Sequence, residues 1–204
     1  MTSSSDAVRR DRSKAAGVPG PWQMFFTGFL KHPVMVGSII PSSDRLIAKM
    51  LGPVDWANCK LFVEYGPGVG TFCRPILERM APDAMLIAID TNEDFIRYLD
   101  HTITDSRFVA VHGSAADVER IVAEHGHAAA DYVLSGLPFS TLPEGVGPAI
   151  AAATQRVLRV DGGFLVYQFS PKVRDFIAPH FHRIDHDMEW WNVPPAQLYW
   201  GWKD

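Results

Sequence analysis

One run limits what this chain can fold into more than any other: Leu61-Phe62-Val63-Glu64-Tyr65-Gly66-Pro67-Gly68-Val69-Gly70-Thr71. The apolar start predicts a buried strand, the glycines a tight turn, and Thr71 the start of a helix. A strand, glycine turn and helix in this order bring backbone close to a ligand at the carboxyl edge of a sheet.

The turn also discriminates among ligands. A dinucleotide site wants G-x-G-x-x-G, with backbone N–H groups aimed at a pyrophosphate. Here the third glycine falls one residue early, and Thr71 stands where that pattern wants glycine. Pro67 removes an N–H from the turn. Glu64 sets a carboxylate beside it, which repels phosphate and suits an ammonium group. S-adenosylmethionine carries an ammonium, a sulfonium and a nucleoside, and no phosphate. The E-x-G-x-G-x-G run therefore favours S-adenosylmethionine, released as S-adenosylhomocysteine, over a dinucleotide.

Downstream, strand and helix patterns alternate. Strands are predicted at Leu61–Tyr65, Met85–Asp90, Phe108–His112, Asp131–Leu134 and Gly163–Phe169. Helices are predicted at Thr71–Met80, Asn92–Asp100, Val118–Glu124, Ala149–Leu158 and Pro171–Phe181. Pro41-Ser42-Ser43-Asp44 is a polar turn suited to capping a further helix, Arg45–Leu51. Two last strands, Arg183–Met188 and Gln197–Trp202, flank Pro194-Pro195 and predict a terminal hairpin with one antiparallel strand. The expected architecture is α/β: seven strands, mostly parallel, with helices on both faces.

The first 20 residues are polar and charged, and read as a flexible segment before one domain over 21–204. A net charge of −4 gives no global reason to expect a nucleic-acid partner. Cys59 and Cys73 read as reduced, packed thiols of a cytoplasmic protein, and no metal-binding pattern is singled out. No apolar run approaches the ~20 residues that span a bilayer.

Several strand ends carry candidate chemistry. Asp90 closes strand two, where a carboxylate can accept both hydrogen bonds of a ribose diol; it can equally cap the helix near Asn92. Gly113-Ser114-Ala115 is small enough for an adenine ring to lie against backbone, with Ser114 or Asp117 as polar neighbours. After strand four comes Ser135-Gly136-Leu137-Pro138-Phe139. Pro138 makes this turn rigid. Its carbonyls can orient the N–H groups of an amine acceptor, and Phe139 can offer an aromatic face to developing positive charge, or can simply fill the core.

Taken together, Glu64 to Gly70, Asp90 and the L-P-F turn resemble a class I, Rossmann-like methyltransferase. The turn is similar to the N-L-P-Y of ribosomal RNA adenine dimethylases. The fuller resemblance, over about Trp22 to Trp202, is to bacterial phospholipid N-methyltransferases that act on phosphatidylethanolamine. It is carried by Gly37-Ser38-Ile39-Ile40-Pro41-Ser42-Ser43, by Ser135 to Pro143 (S-G-L-P-F-S-T-L-P), and by Asn192-Val193-Pro194-Pro195-Ala196. It implies cofactor contacts from Ser42, Glu64, Tyr65, Gly66, Gly68, Gly70, Asp90, Thr91, Asn92, Gly113, Ser114, Ala115 and Ser135. The catalytic turn it implies is Gly136, Leu137, Pro138 and Phe139. Gly136 and Phe139 replace the Asn and Tyr of the dimethylases, and no appended basic domain is present, which argues against a nucleobase acceptor.

A lipid substrate requires contact with a membrane surface. Trp22, Phe25, Phe26, Phe29 and Leu30 recur at helical spacing between Pro21 and Pro33, near Arg9, Arg10, Arg12, Lys14 and Lys31. Residues 21–32 thus predict an amphipathic helix for reversible contact with the inner face of the membrane, or one packed over the cofactor site. Tyr65, His32 and Tyr167 are the groups available as a base. The competing readings are methylation of RNA adenine or a small soluble amine, and a lipid-surface protein without catalysis.

Overall fold

The computed structural model describes residues 44–169, 172–192 and 195–204. The predicted helix over 21–32, the basic residues before it, His32, Ser42 and the turn residues Pro41, Ser43, Pro171, Val193 and Pro194 lie outside the described residues.

The seven strands are β1 (Leu61–Tyr65), β2 (Met85–Asp90), β3 (Phe108–His112), β4 (Ala130–Ser135), β5 (Leu158–Gln168), β6 (Arg183–Glu189) and β7 (Ala196–Trp202). They form one sheet in the order β3-β2-β1-β4-β5-β7-β6. β1 to β5 run parallel, and β7 runs antiparallel between β5 and β6. The expected terminal hairpin is present, with its return strand inserted into the sheet. The helices are α1 (Asp44–Leu51), α2 (Cys73–Arg79), α3 (Glu93–Thr102), α4 (Val118–Glu124), α5 (Val146–Val157) and α6 (Val173–Ile177).

Alternation along β1 explains the layering. Phe62 joins a core with α1, α2 and α3 on one face, where Met50, Ile76 and Leu99 are buried. Leu61, Val63 and Tyr65 join a second core with α4, α5 and α6, where Ile121, Ile150 and Ile177 are buried. Polar ties set the other edge: Asp131 Oδ2 accepts from the Lys60 and Leu61 amides at 2.8 Å each. Cys59 and Cys73 are both buried free thiols.

Boundaries differ from expectation where glycine intervenes. β5 begins at Leu158 rather than at Gly163, because the chain leaves α5 directly into extended backbone and crosses a register irregularity opposite Ala130 and Tyr132. α5 begins at Val146, three residues early, behind Gly145 with φ 81°. α6 is only Val173–Ile177.

Candidate active site

The carboxyl ends of β1, β2, β3 and β4 meet at one edge of the sheet. Asp90 pairs with His112, Tyr65 pairs with Ile89, and Tyr65 also pairs with Ser135. The loops leaving these strands surround a cleft of about 660 Å³. Gly66, Gly68, Asp90, Thr91, Asn92, Gly113, Ser114, Ala115, Gly136, Leu137 and Pro138 all line it, so residues far apart in sequence are gathered as expected.

Local geometry explains the glycine loop. Gly66, Gly68 and Gly70 have φ values of 63°, 55° and 80°, in the left-handed region that side chains disfavour. A Cβ on Gly66 would stand 2.9 Å from Leu137 Cδ2, so the loop can lie against the strand-four turn only without one. Gly70 has another role: its Cβ would meet Leu99 Cδ2 at 2.7 Å, on the buried side of the loop. Gly70 is absent from the cleft wall and serves helix packing instead of the direct contact expected of it.

Asp90 lies at the rim with Oδ1 accepting from the Asn92 amide at 2.8 Å. Burial pushes its carboxyl up, opposed by backbone N–H groups of Asn92, Gly68 and Thr91. The helix cap proper is Asn92, whose side chain accepts from Asp94 N at 2.9 Å. Ser114 Oγ accepts from Ala116 N at 3.2 Å and opens a 3-10 turn, Ala115–Asp117.

Other expected residues stand behind the wall. Glu64 faces α2 and is 3% exposed. Cys73 Sγ donates to its Oε2 at 3.1 Å. Burial raises the Glu64 pKa to about 7, with the Cys73 hydrogen bond opposing and Asp90 reinforcing. Tyr65 is fully buried on the opposite face and donates to Thr154 Oγ1 at 3.2 Å, which removes its side chain from the cleft. Its backbone does reach the site, since the Gly136 N–H donates to the Tyr65 carbonyl at 3.1 Å. Ser135 is buried, with Oγ accepting from Leu137 N at 3.3 Å.

Phe139 requires a correction. Its ring is 2% exposed, stacked on Phe176 at 5.9 Å and edge-on to Phe164 at 6.5 Å. It fills the core below the turn and presents no face to an acceptor. The reason is local: Pro138 starts a 3-10 turn, Phe139–Thr141, that rolls the ring inward. The turn's carbonyls are also partly committed. The Leu137 carbonyl accepts from Phe139 N at 2.9 Å and from Gln168 Nε2. The Pro138 carbonyl accepts from Thr141 N at 2.8 Å and Thr141 Oγ1 at 3.0 Å.

Sequence reasoning missed the apolar half of the wall: Ile89, Phe95, Leu142, Val146 and Ile150. Val146 and Ile150 sit one helical turn apart on α5, a spacing that signals a shared face but not what that face touches. His112 was also missed; it lines the cleft and its Nε2 donates to the Thr91 carbonyl at 3.1 Å.

The cleft suits an adenosyl ligand by its own chemistry. Asp90 offers carboxylate oxygens for a diol, while Gly113 to Ala115 line the same cleft as Ile89, Leu142, Val146 and Ile150, a small and apolar wall suited to a flat ring. No Lys or Arg is among the described lining residues, which is poor provision for a pyrophosphate.

No family model matches the chain. The chain is 30% identical over 178 residues to the ornithine lipid N-methyltransferase of Singulisphaera acidiphila, covering 86% of this chain and 93% of that protein. The chain belongs to that enzyme's family, among the class I S-adenosylmethionine-dependent methyltransferases. Solved structures agree on the fold. Precorrin-6y C5,15-methyltransferase from Geobacter metallireducens superposes with a TM-score of 0.62 at 14% identity, over 81% of this chain and 94% of that one. A T. thermophilus 16S rRNA methyltransferase solved with AdoMet and guanosine gives 0.55 at 17% identity, over 80% and 40%. The cofactor of this methyltransferase is S-adenosylmethionine, and the cleft between β2 and β4 has the residues to hold it.

Proposed function

We propose that this methyltransferase transfers methyl groups to the headgroup amine of a membrane aminolipid, phosphatidylethanolamine and its methylated intermediates first, and ornithine lipid as the alternative headgroup. The observation that carries the reading is the 30% identity, along nearly the whole chain, to an enzyme named for N-methylating a lipid. The S-G-L-P turn at the cleft, with Gly136 in place of an amide side chain, supports it against an RNA acceptor. Among the described residues no helix is long and apolar enough to cross a membrane. A lipid headgroup as substrate is what leads us to place the enzyme peripherally, on the inner face.

The bound cofactor supplies an electrophilic methyl group on a sulfonium. In the proposed site Asp90 would hold the ribose diol and the Gly66–Gly68 backbone would meet the amino-acid portion, with Glu64 as a buried carboxylate behind the loop. The acceptor is an ammonium with a lysine-like pKa near ~10 and must lose a proton before it attacks. Displacing water from a largely apolar cleft favours the neutral amine. With the Leu137 and Pro138 carbonyls engaged, Gly136 is the position on the turn left to orient the amine N–H groups. Tyr167 lies directly beside Gly136 and is the better placed of the phenols considered as a base; Tyr65 is sealed in the core. Alignment of amine and methyl group then supplies most of the rate.

The test is transfer of labelled methyl from S-adenosylmethionine to vesicles of phosphatidylethanolamine, to vesicles containing ornithine lipid, and to soluble ethanolamine and ornithine. Methylated lipid on either vesicle supports the reading and names the headgroup. Methylation of the soluble amines alone would overturn it.

A further inference from the structure

The β6–β7 hairpin ends in two tryptophans that nothing in the site explains. Trp190 is 68% exposed and Trp191 77%. Every other tryptophan of the hairpin is tied down: Trp200 Nε1 donates to the Met50 carbonyl at 3.0 Å, and Trp202 Nε1 to Asp185 at 2.7 Å. The tip itself is held in place. The Trp191 amide donates to Glu189 Oε1 at 3.0 Å, and Glu189 is only 6% exposed. Lys49 of α1 braces the last residues of β6, with Nζ donating to the Met188 carbonyl at 2.7 Å and pairing with Asp187 at 2.8 Å. The Arg45 guanidinium lies over the Trp191 ring, 5.6 Å from its centroid.

Strand direction places this tip relative to the cleft. β6 runs parallel to β1 through β5, so its carboxyl end shares their edge of the sheet. Across the sheet, Tyr65 pairs with Ser135, Ser135 with Val166, Val166 with Tyr199, and Tyr199 with His186. Beyond His186 the strand continues to Glu189, roughly 10 Å further at ~3.3 Å per residue, before Trp190 begins. The hairpin therefore rises above the cofactor edge like a post. It stands four strand spacings from β1, roughly 19 Å to the side at ~4.8 Å each.

We propose that Trp190 and Trp191, with Arg45 beside them, dock this methyltransferase on the headgroup layer of an anionic bilayer, so that the cleft faces the lipid surface. This rests on the aminolipid reading of the function. Indole rings with a polar N–H favour the boundary between headgroups and acyl chains, and an adjacent guanidinium meets anionic lipid. Two indoles offer at most ~500 Å² of contact, below the ~800 Å² per partner of a stable protein interface, so a protein partner fits poorly.

The experiment is sedimentation of the full chain with vesicles of phosphatidylethanolamine and phosphatidylglycerol. Trp190→Ala with Trp191→Ala should lower vesicle partitioning by about tenfold or more, while S-adenosylmethionine binding by calorimetry stays unchanged. Trp190→Tyr with Trp191→Tyr should keep most of the partitioning, since tyrosine also favours the interface. Arg45→Ala should weaken binding to vesicles with phosphatidylglycerol more than to vesicles without it. Wild-type partitioning by the alanine variant would overturn the proposal, as would a wild-type chain that ignores vesicles. A dimer that the alanine pair converts to monomer, with vesicle binding intact, would overturn it in favour of self-association. Methyl transfer to a monomeric short-chain aminolipid separates the two readings. If the alanine variant keeps that activity, the defect lies in docking; if wild type lacks it on short-chain and vesicle lipid alike, the functional reading fails while the sedimentation result still decides the docking.

Discussion

The Tyr167 hydroxyl stands where a side chain on Gly136 would begin: a Cβ added there would lie 2.4 Å from the phenol oxygen and 2.9 Å from Cζ. Tyr167 cannot easily yield, because its ring lies against Phe72 at 5.0 Å. β5 thus brings a phenol to the place a side chain at position 136 would occupy. Gly136→Ala is expected to cost about 1–3 kcal/mol by overpacking and to lower methyl transfer together with it. Tyr167→Phe removes the 2.4 Å contact, so combining the two should be less destabilising than the sum of the single changes. Urea denaturation of the four proteins measures that coupling.

Glu64 makes stability depend on pH. Its folded pKa is raised to about 7 by burial, well above the ~4.3 of a free glutamic acid. The folded chain therefore holds a proton that the unfolded chain releases. The associated stability is complete below about pH 4 and is lost as pH rises through about 7, by about 3 kcal/mol in all. Glu64→Gln cannot ionise. Between pH 5 and 8 its stability should fall less than that of wild type, and denaturant midpoints at several pH values would show the difference. Should the cofactor ammonium pair with this carboxylate, the same variant would bind S-adenosylmethionine more weakly.

Asp90 is expected to matter for binding before rate. Hydrogen bonds from a diol to a carboxylate are worth about 1.5–3 kcal/mol each. Asp90→Ala should therefore raise the Kd for S-adenosylmethionine by at least tenfold. It also removes the acceptor of the Asn92 amide. Asp90→Asn keeps one oxygen for that amide and should lose less. Calorimetric titration distinguishes them, and equal affinity of the alanine variant and wild type would remove Asp90 from the cofactor site.

The parallel core of the fold was legible because its signals are local. Each of β1, β2 and β3 is a short apolar run closed by a polar residue or glycine, and the structure keeps their boundaries. The glycine loop and Asp90 were legible for a related reason: positive φ values and a carboxylate at a strand end are written in single residues. The apolar wall was not legible, because Ile150 and Phe95 look like any core residue until the topology brings α5 and α3 to the same cleft. The start of β5 was hidden because Leu158 reads as the end of a helix and Gly162 as a break before the strand, whereas both lie inside one long, irregular strand.

Phe139 shows how a motif can be read correctly and its side chain misplaced. The L-P-F turn does stand at the cleft, through Leu137 and Pro138. The sequence does not say to which side the next residue points. In the structure the 3-10 turn sends the ring between Phe164 and Phe176, and Gly147 makes room, with a Cβ there only 3.4 Å from both Phe139 Cδ1 and Phe176 Cδ1. If Phe139 stabilised the transferring methyl group, truncation would lower the rate and leave the fold intact. Its burial predicts the reverse: Phe139→Ala should cost about 3–5 kcal/mol of stability, with methyl transfer per folded molecule falling only as far as the turn relaxes. Phe139→Leu, which conserves most of the volume and abolishes the aromatic face, should cost under about 2 kcal/mol and keep near-wild-type kcat. A leucine variant that is folded, binds S-adenosylmethionine normally and yet loses most of its kcat would return Phe139 to the reaction.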